Sequence, residues 1–372
     1  MPFLSLATAN YRNIEDGTID IHAKQVFFVG ENGQGKSNIL EALYCLSYGA
    51  SYRTKKDSEM ARHGADSFSL RALYSEENGS TQSVAVYYEN GKKKILKNAK
   101  RLMDRKALIN TIPCVLYSHE DLMFVDGEPE RRRFFLDQTL SMYDASYIDI
   151  QRQYRKTLKS RNLCLKNRIY DLLDTYDMQL AKSGTEIQKR RKKTIFSFNL
   201  IFTRLYEQVT GIENVRLVYK PSWGEQSASG TEEYLDITEE EAAGVLREKR
   251  DIDKQLGASC YGPHRDRIIF VKDGRNFIQT ASTGQRRTVA ILLRTAQAEF
   301  YKNNSQKKPV LLFDDVLLEL DPEKRAKITD RLPDYDQIFF TFLPEEPYMR
   351  YRKAEAKGYI ISKGRCFSPD SI

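Results

Sequence analysis

The chain has 372 residues, with 59 lysines and arginines against 51 aspartates and glutamates, a net charge of +8 and a pI near 9.0. Hydrophobic residues at 41% and charged residues at 30% suit a globular protein of two or three domains and exclude a disordered chain, while the basic excess favours polyanionic partners, nucleic acid foremost. No stretch approaches the ~20 apolar residues of a membrane span, Met1–Ser5 lacks the pattern of a signal peptide, and five scattered cysteines without a CxxC pair argue against a zinc site or a disulfide framework, so a reducing, cytoplasmic setting is expected.

In chain order, Val26–Val29 reads as a short buried strand and Ser37–Tyr44 as a helix, with apolar residues at 39, 40, 43 and 44. Between them Gly30-Glu31-Asn32-Gly33-Gln34-Gly35-Lys36-Ser37 fits the phosphate-loop pattern G-x-x-x-x-G-K-[ST] without mismatch. Glycines let backbone amides wrap phosphate oxygens at a helix N-terminus. Lys36, expected on a solvent-facing loop, reaches the β- and γ-phosphates of ATP, and the Ser37 hydroxyl is a ligand for Mg²⁺.

Three strands follow, Phe68–Tyr74, Ser83–Tyr88 and Lys94–Lys97, the last two joined by the hairpin signal Asn90-Gly91. Lys92, Lys93, Lys94 and Lys97, with Lys100, Arg101, Arg105 and Lys106, make a first basic cluster there. From Arg131 to Gln208 the pattern turns helical and carries two more: Arg152, Arg155, Lys156, Lys159 and Arg161, then Lys189 to Lys193. Such rows of cations grip phosphate backbone without reading bases. A single helical segment Asp144–Leu173 spans only about 45 Å at 1.5 Å per residue, too short for a long coiled-coil arm.

Val215–Tyr219 reads as a strand, Gln226–Thr231 as a loop and Glu239–Lys254 as a helix; near Gly257 the chain returns to its first lobe. Ser282-Thr283-Gly284-Gln285 opens a helix to Tyr301, where Ser282 is also a good N-cap. The apolar run Val310–Phe313 reads as a buried parallel strand ending in Asp314-Asp315. Asp314 is assigned to Mg²⁺ and Asp315, as general base, to the attacking water.

Phosphate loop, Ser-x-Gly-Gln element and aspartate pair, in that order, spell an ABC-type ATPase head that hydrolyses ATP between two copies of itself. Ser282, Gly284 and Gln285 of one copy are assigned to the nucleotide of the other. The expected fold is α/β, an SMC-head-like P-loop lobe built from residues 1–115 and 257–372, with a compact, mostly helical lobe of residues 116–256 inserted.

Further segments resemble the bacterial RecF family, relatives of SMC heads: Asn10-Tyr11-Arg12-Asn13, Ser51-Tyr52-Arg53-Thr54, Glu120-Asp121-Leu122, Gly127–Phe134, Gly262-Pro263-His264-Arg265-Asp266 and Asp314–Asp321. Leu318 stands where the family has Ser, Ala99 where an Asn-Gly turn is expected, and Thr341 is the one candidate γ-phosphate sensor in the stretch after Phe339. Asp315 stands where Glu is common in the wider class, which puts the base on a shorter arm and implies slow turnover. The resemblance implies weak DNA-dependent ATPase activity, ATP-dependent homodimerisation, binding at junctions of single- and double-stranded DNA, and RecO and RecR as co-workers in recombinational repair. The competing readings are a non-hydrolysing ATP-dependent DNA scaffold, another SMC-like ATPase and a nuclease-bearing relative. The last would need an acidic metal-binding domain, and no extra acidic cluster follows Asp321. A small-molecule P-loop kinase would need neither Ser282–Gln285 nor Gly262–Asp266.

Overall fold

The segment Gln25–Val29 is buried along its whole length, as the unbroken apolar run Val26–Val29 requires, and it becomes an inner strand of a mostly parallel sheet. In the computed structural model, which describes residues 2–109, 111–224, 236–305, 307–345 and 355–368, the chain divides into two units: Met1–Asp121 with Gln297–Ile372, and Leu122–Ala296. The loop expected at Gln226–Thr231 lies outside the described residues.

The first unit begins with β1 (Phe3–Ala9), β2 (Gly17–Asp20), β3 (Gln25–Val29), α1 (Lys36–Tyr48), β4 (Phe68–Ser75), β5 (Thr81–Glu89), β6 (Lys92–Lys97), β7 (Lys100–Arg101), α2 (Lys106–Ile109) and β8 (Cys114–Tyr117). The second contains α3 (Pro129–Tyr143), α4 (Ala145–Lys166), α5 (Leu173–Thr210), β9 (Arg216–Lys220), α6 (Glu239–Glu248), α7 (Arg250–Leu256), β10 (Arg267–Lys272), β11 (Arg275–Asn276) and α8 (Phe277–Thr280). Helix α9 (Thr283–Ser305) ends in the first unit, which is completed by β12 (Val310–Phe313), α10 (Pro322–Thr329), β13 (Gln337–Phe342), β14 (Ala356–Ser362) and β15 (Arg365–Phe367).

Two six-stranded sheets build the first unit, an antiparallel one in the order β2-β1-β4-β5-β6-β7 and one in the order β15-β14-β3-β13-β12-β8. In the second, β8, β12, β13, β3 and β14 run parallel. Four aromatic rings cross it in register: Phe27 stacks on Phe340 at 5.3 Å, Phe340 lies 5.2 Å from Phe313, and Phe313 stacks on Tyr117 at 3.9 Å. Each such pair contributes about 0.5–1.5 kcal/mol beyond its buried area. The ladder sets the register, and with it the positions of the next residues, Asp314 and Thr341; a slip of one residue turns every side chain to the opposite face.

Three expectations are corrected. Residues 257–296 belong to the second unit, because β10 pairs antiparallel with β9 from Arg267–Lys220 to Val271–Arg216, while residues 116–121 stay with the first. The segment Asp144–Leu173 is not one helix: α4 stops at Lys166 in a Schellman turn. There Ile169 N–H bonds Cys164 O (2.9 Å), Arg168 N–H bonds Leu165 O (3.2 Å), and Arg168 takes the left-handed conformation (φ 59°) that glycine usually supplies. The long helix is α5, 38 residues or about 57 Å. Glu239–Lys254 likewise divides into α6 and α7.

The Asn90-Gly91 hairpin forms as expected, both residues at positive φ. Ala99 adopts φ 62° in the next turn, a conformation that carries about 1 kcal/mol of strain for a non-glycine residue. Leu318 falls in a 3-10 turn, Val316–Glu319, and its side chain lies outside the described residues.

Candidate nucleotide site

The phosphate loop joins β3 to α1 in the first unit. Gly35 sits at φ 119°, and a Cβ there would come within 2.7 Å of Ile14 Cδ1 and 3.0 Å of Asn13 Oδ1. Only glycine meets both demands. Lys36, expected in solvent, is 4% exposed: its ammonium lies across the loop and donates to the carbonyls of Gly30 (2.6 Å) and Glu31 (3.1 Å). An ammonium has three donors, so one remains for a phosphate oxygen. Glu31, Asn32 and Gly33 are exposed at the loop's crest.

The loop is braced from two sides. Asn13 Nδ2 donates to Gly33 O (3.0 Å), and Asn38 Nδ2 donates to Asn13 Oδ1 (2.7 Å). Arg12 forms a two-pronged ion pair with buried Glu41 of α1 (3.0 and 2.8 Å), a geometry in which each bond is charge-assisted. From the other side Gln34 takes backbone N–H groups of Gly364 on its carbonyl (3.0 Å) and of Lys363 on its Oε1 (2.6 Å). The Asn-Tyr-Arg-Asn segment therefore serves the loop directly.

Strand β12 delivers the aspartates. Asp314 Oδ1 accepts the Ser37 hydroxyl at 2.7 Å, and Oδ2 accepts the Tyr52 hydroxyl at 2.9 Å. Burial pushes the Asp314 carboxyl above its usual range, opposed by these two bonds. Burial and the Asp314 charge push the Tyr52 phenol well up, so it stays protonated and can only donate here. Asp315 sits in the left-handed region (φ 56°), where Thr341 fixes it twice: its hydroxyl accepts Asp315 N–H (2.9 Å) and donates to Asp315 Oδ1 (2.6 Å). Thr341, the candidate phosphate sensor, is 3% exposed here and its shortest bond is to the proposed base.

In the second unit Ser282 and Gln285 cap each other: Ser282 N–H donates to Gln285 Oε1 (2.7 Å), and Gln285 N–H donates to Ser282 Oγ (3.2 Å). The Ser282 hydroxyl accepts in this arrangement, so its own proton can be donated outward. Ser282 and Gly284 are exposed, and a Cβ at Gly284 would meet nothing within 4 Å among the described residues.

The basic clusters divide. On β6, Lys92 and Lys94 are exposed, whereas Lys93 pairs with Asp57 (2.6 Å) and Lys97 turns to Thr111 (3.3 Å), as strand alternation dictates. On α4, Arg152, Arg155, Lys156 and Lys159 share an exposed face, while Arg161 is fully buried between Asp177 and Asp253, each at 2.6 Å. On α5, Lys189 and Lys193 are exposed. Lys192 pairs with Asp236, Arg190 with Glu186 and Asp144, and Arg191 with Asp137 and Asp266. Arg161 and Arg191 are thus internal ties, not polyanion contacts.

The Gly-Pro-His-Arg-Asp segment also proves internal. Buried Asp266 accepts from Arg191 (2.9 Å), Gln188 (2.9 Å), Ser222 N–H (2.7 Å) and the Tyr219 hydroxyl. His264 accepts Tyr154 OH on Nδ1 (2.7 Å) and lies 3.0 Å from Ser259 O through Nε2; burial lowers its pKa to about 4. Sequence reasoning missed the roles of Tyr52, Glu41 and Gln34. Tyr52 and Asp314 stand 262 positions apart, and no local spacing announces their contact.

A phosphate loop leading into a helix, its serine bound to an aspartate at the end of a parallel strand, and a second aspartate locked beside it define a P-loop ATPase head of the ABC type. The model of the RecF/RecN/SMC N-terminal domain matches residues 4–356. Among curated relatives, "DNA replication and repair protein RecF" of Treponema pallidum (strain Nichols) is 45% identical over 97% of this chain and 99% of its own. The RecF of Leptospira interrogans serovar Lai is 31% identical over 97% of both. A solved structure of the recombination mediator protein RecF with ATP superposes with TM-score 0.88 at 27% identity, covering 98% of this chain and 97% of that one. An SMC head bound to part of ScpA shares the fold, with TM-score 0.58 at 14% identity. The chain belongs to the RecF family.

Proposed function

We propose that this chain is a DNA replication and repair ATPase of the RecF type, which binds ATP with Mg²⁺, pairs with a second copy of itself around the nucleotides and uses slow hydrolysis to release the pair. The observation that carries the reading is the Ser37–Asp314 bond beside an Asp315 locked in place by Thr341. Its relatives bear the name RecF, and solved neighbours include RecF with ATP.

Lys36 and the loop amides bind the β- and γ-phosphates. Ser37 and Asp314 offer hard oxygen donors that fit Mg²⁺, which takes one or two protein ligands and supplies charge neutralisation at the phosphates. Asp315, on its short arm, orients water and accepts its proton. Ser282 donates its spare proton to the partner copy's γ-phosphate, and the missing side chain of Gly284, which nothing among the described residues of its own chain requires, leaves room for that approach. Loss of the γ-phosphate removes this interaction and shifts the population back to monomer.

DNA is the proposed polyanion, bound at single-/double-strand junctions, with RecO and RecR as co-workers. Lys92 and Lys94 on β6 and Arg152, Arg155 and Lys159 on α4 are the proposed contacts; Lys93 and Lys97 are withdrawn from that set. Reversing the charge of any one cation that grips a phosphate should reduce the log–log salt slope on duplex DNA by about 0.9.

Light scattering with and without ATP, on linear, gapped and single-stranded DNA, tests the cycle. Asp315→Asn should accumulate an ATP-bound dimer, and Ser282→Arg should bind ATP yet stay monomeric. A Ser282→Arg chain that dimerises normally would remove the composite site. Wild-type chain that dimerises without turnover, with or without DNA, would make it a scaffold instead.

A further inference from the structure

Only the Ser37 side of Asp314 belongs to the phosphate loop; the opposite oxygen is held by a residue from a different segment. Tyr52 lies on the loop after α1, and its hydroxyl reaches Asp314 Oδ2 at 2.9 Å. The ring is fixed by other contacts. It stands edge-on to Tyr44 of α1 (5.4 Å, 77°), Tyr44 packs on Tyr48 (4.7 Å), and the Tyr48 hydroxyl bonds the Cys114 carbonyl on β8, the neighbour of β12 in the sheet. The adjoining residues are tied down as well: Ser51 donates to Glu41, and Arg53 donates to Asn38 Oδ1 (2.6 Å). Three consecutive side chains of this loop thus grip α1 and the end of β12.

A carboxylate at a strand end rotates about χ2 in a broad, two-fold well unless both its oxygens are engaged. Ser37 holds Oδ1, but that hydroxyl must also serve as a metal ligand, and a hydroxyl has one proton to give. Without a second anchor, Asp314 can turn its oxygen away from Ser37 when the metal arrives. We infer that Tyr52 is a positioning residue for Mg²⁺: by holding Oδ2 it keeps Oδ1 facing Ser37, so that the two oxygens meet the ion already oriented. The inference rests on the assignment of Ser37 and Asp314 to Mg²⁺. Groups that orient metal ligands from behind typically change metal affinity by about 10–100-fold when removed.

The test is Tyr52→Phe, which keeps the ring against Tyr44 and deletes only the hydroxyl. Binding of a fluorescent ATP analogue is titrated with Mg²⁺ in full-length wild type, Tyr52→Phe and Ser37→Ala, and repeated in excess chelator; thermal unfolding without nucleotide checks the fold. The expected result is that Tyr52→Phe needs about tenfold more Mg²⁺ for half-maximal tight binding, while its metal-free affinity and unfolding match wild type. A titration superimposing on wild type, with Ser37→Ala shifted, overturns the role of Tyr52 and leaves the metal site standing. If Ser37→Ala is unshifted, the metal is not at this pair, and both assignments fall. A drop in metal-free affinity equal to the drop with Mg²⁺ would make Tyr52 a prop of the loop and also overturn the inference.

Discussion

Two of the aspartate pairs in this molecule are satisfied by different chemistry. In the second unit Asp137 and Asp266 grip Arg191, with tyrosine hydroxyls, an amide and a backbone N–H filling further positions. In the first unit Asp314 and Asp315 are held by the hydroxyls of Ser37, Tyr52 and Thr341. A guanidinium neutralises the carboxylates it binds; a hydroxyl orients one and leaves its charge in place. The first arrangement is finished and serves stability. The second retains negative charge aimed at the phosphate loop, where a cation and a water can use it.

The largest effect that could break this contrast is on stability. Asp266→Ala leaves Arg191 without one buried partner and should cost about 3–5 kcal/mol in urea unfolding, whereas Asp315→Ala should stay within about 1 kcal/mol of wild type. Equal losses would dissolve the distinction. Next, Lys36→Ala should weaken ATP binding by about 2–3 kcal/mol, roughly 30–150-fold by calorimetry, with unfolding little changed; near-normal binding would mean that the loop is not the phosphate site.

The third effect depends on pH. His264 has a folded pKa of about 4 against an ordinary value of 6.5, so the unfolded chain binds more protons between those values. Its contribution to stability is present above pH 6.5 and is lost as pH falls toward 4. Between pH 7 and pH 5 the loss should reach at most about 2 kcal/mol, and His264→Gln should flatten that slope in paired denaturant titrations. The smallest effect concerns Thr341→Val, which keeps shape and removes the hydroxyl. Turnover should fall about tenfold while ATP affinity holds, because only the orientation of Asp315 changes. Unchanged turnover would show that Asp315 does not need its anchor.

Much of this was legible locally. The phosphate loop, the strand Val310–Phe313, the Asn90-Gly91 hairpin and the cap at Ser282 each declare themselves within a few residues, because glycine freedom, apolar runs and capping act over that range. The break after Lys166 did not, because Arg168 occupies the place where glycine would have announced a helix stop. Lys93, Arg161 and Arg191 looked like their neighbours in the basic clusters, yet their partners Asp57, Asp177, Asp253, Asp137 and Asp266 come from distant segments. The Gly-Pro-His-Arg-Asp match marked family membership correctly; that its aspartate is a buried tie follows only from packing. The same holds for Tyr52, whose contact with Asp314 spans 262 positions, and for Thr341, which reaches Asp315 from the neighbouring strand of the sheet.

The order of the strands has a consequence for how the protein is made. Strand β3 emerges early from the ribosome, wholly apolar apart from Gln25, yet its two parallel neighbours, β13 and β14, are synthesised near the other end of the chain. Gln337, whose side chain bonds both the N–H and the carbonyl of Phe3, trails it by 334 positions. Val29 of β3 and its partner Phe342 are 313 positions apart, so at about 5–20 residues per second the sticky strand has no mate for roughly 16–63 seconds. The nascent chain must be shielded through that interval, and no ribosome-bound fragment lacking β12 and β13 can assemble the Ser37–Asp314 pair.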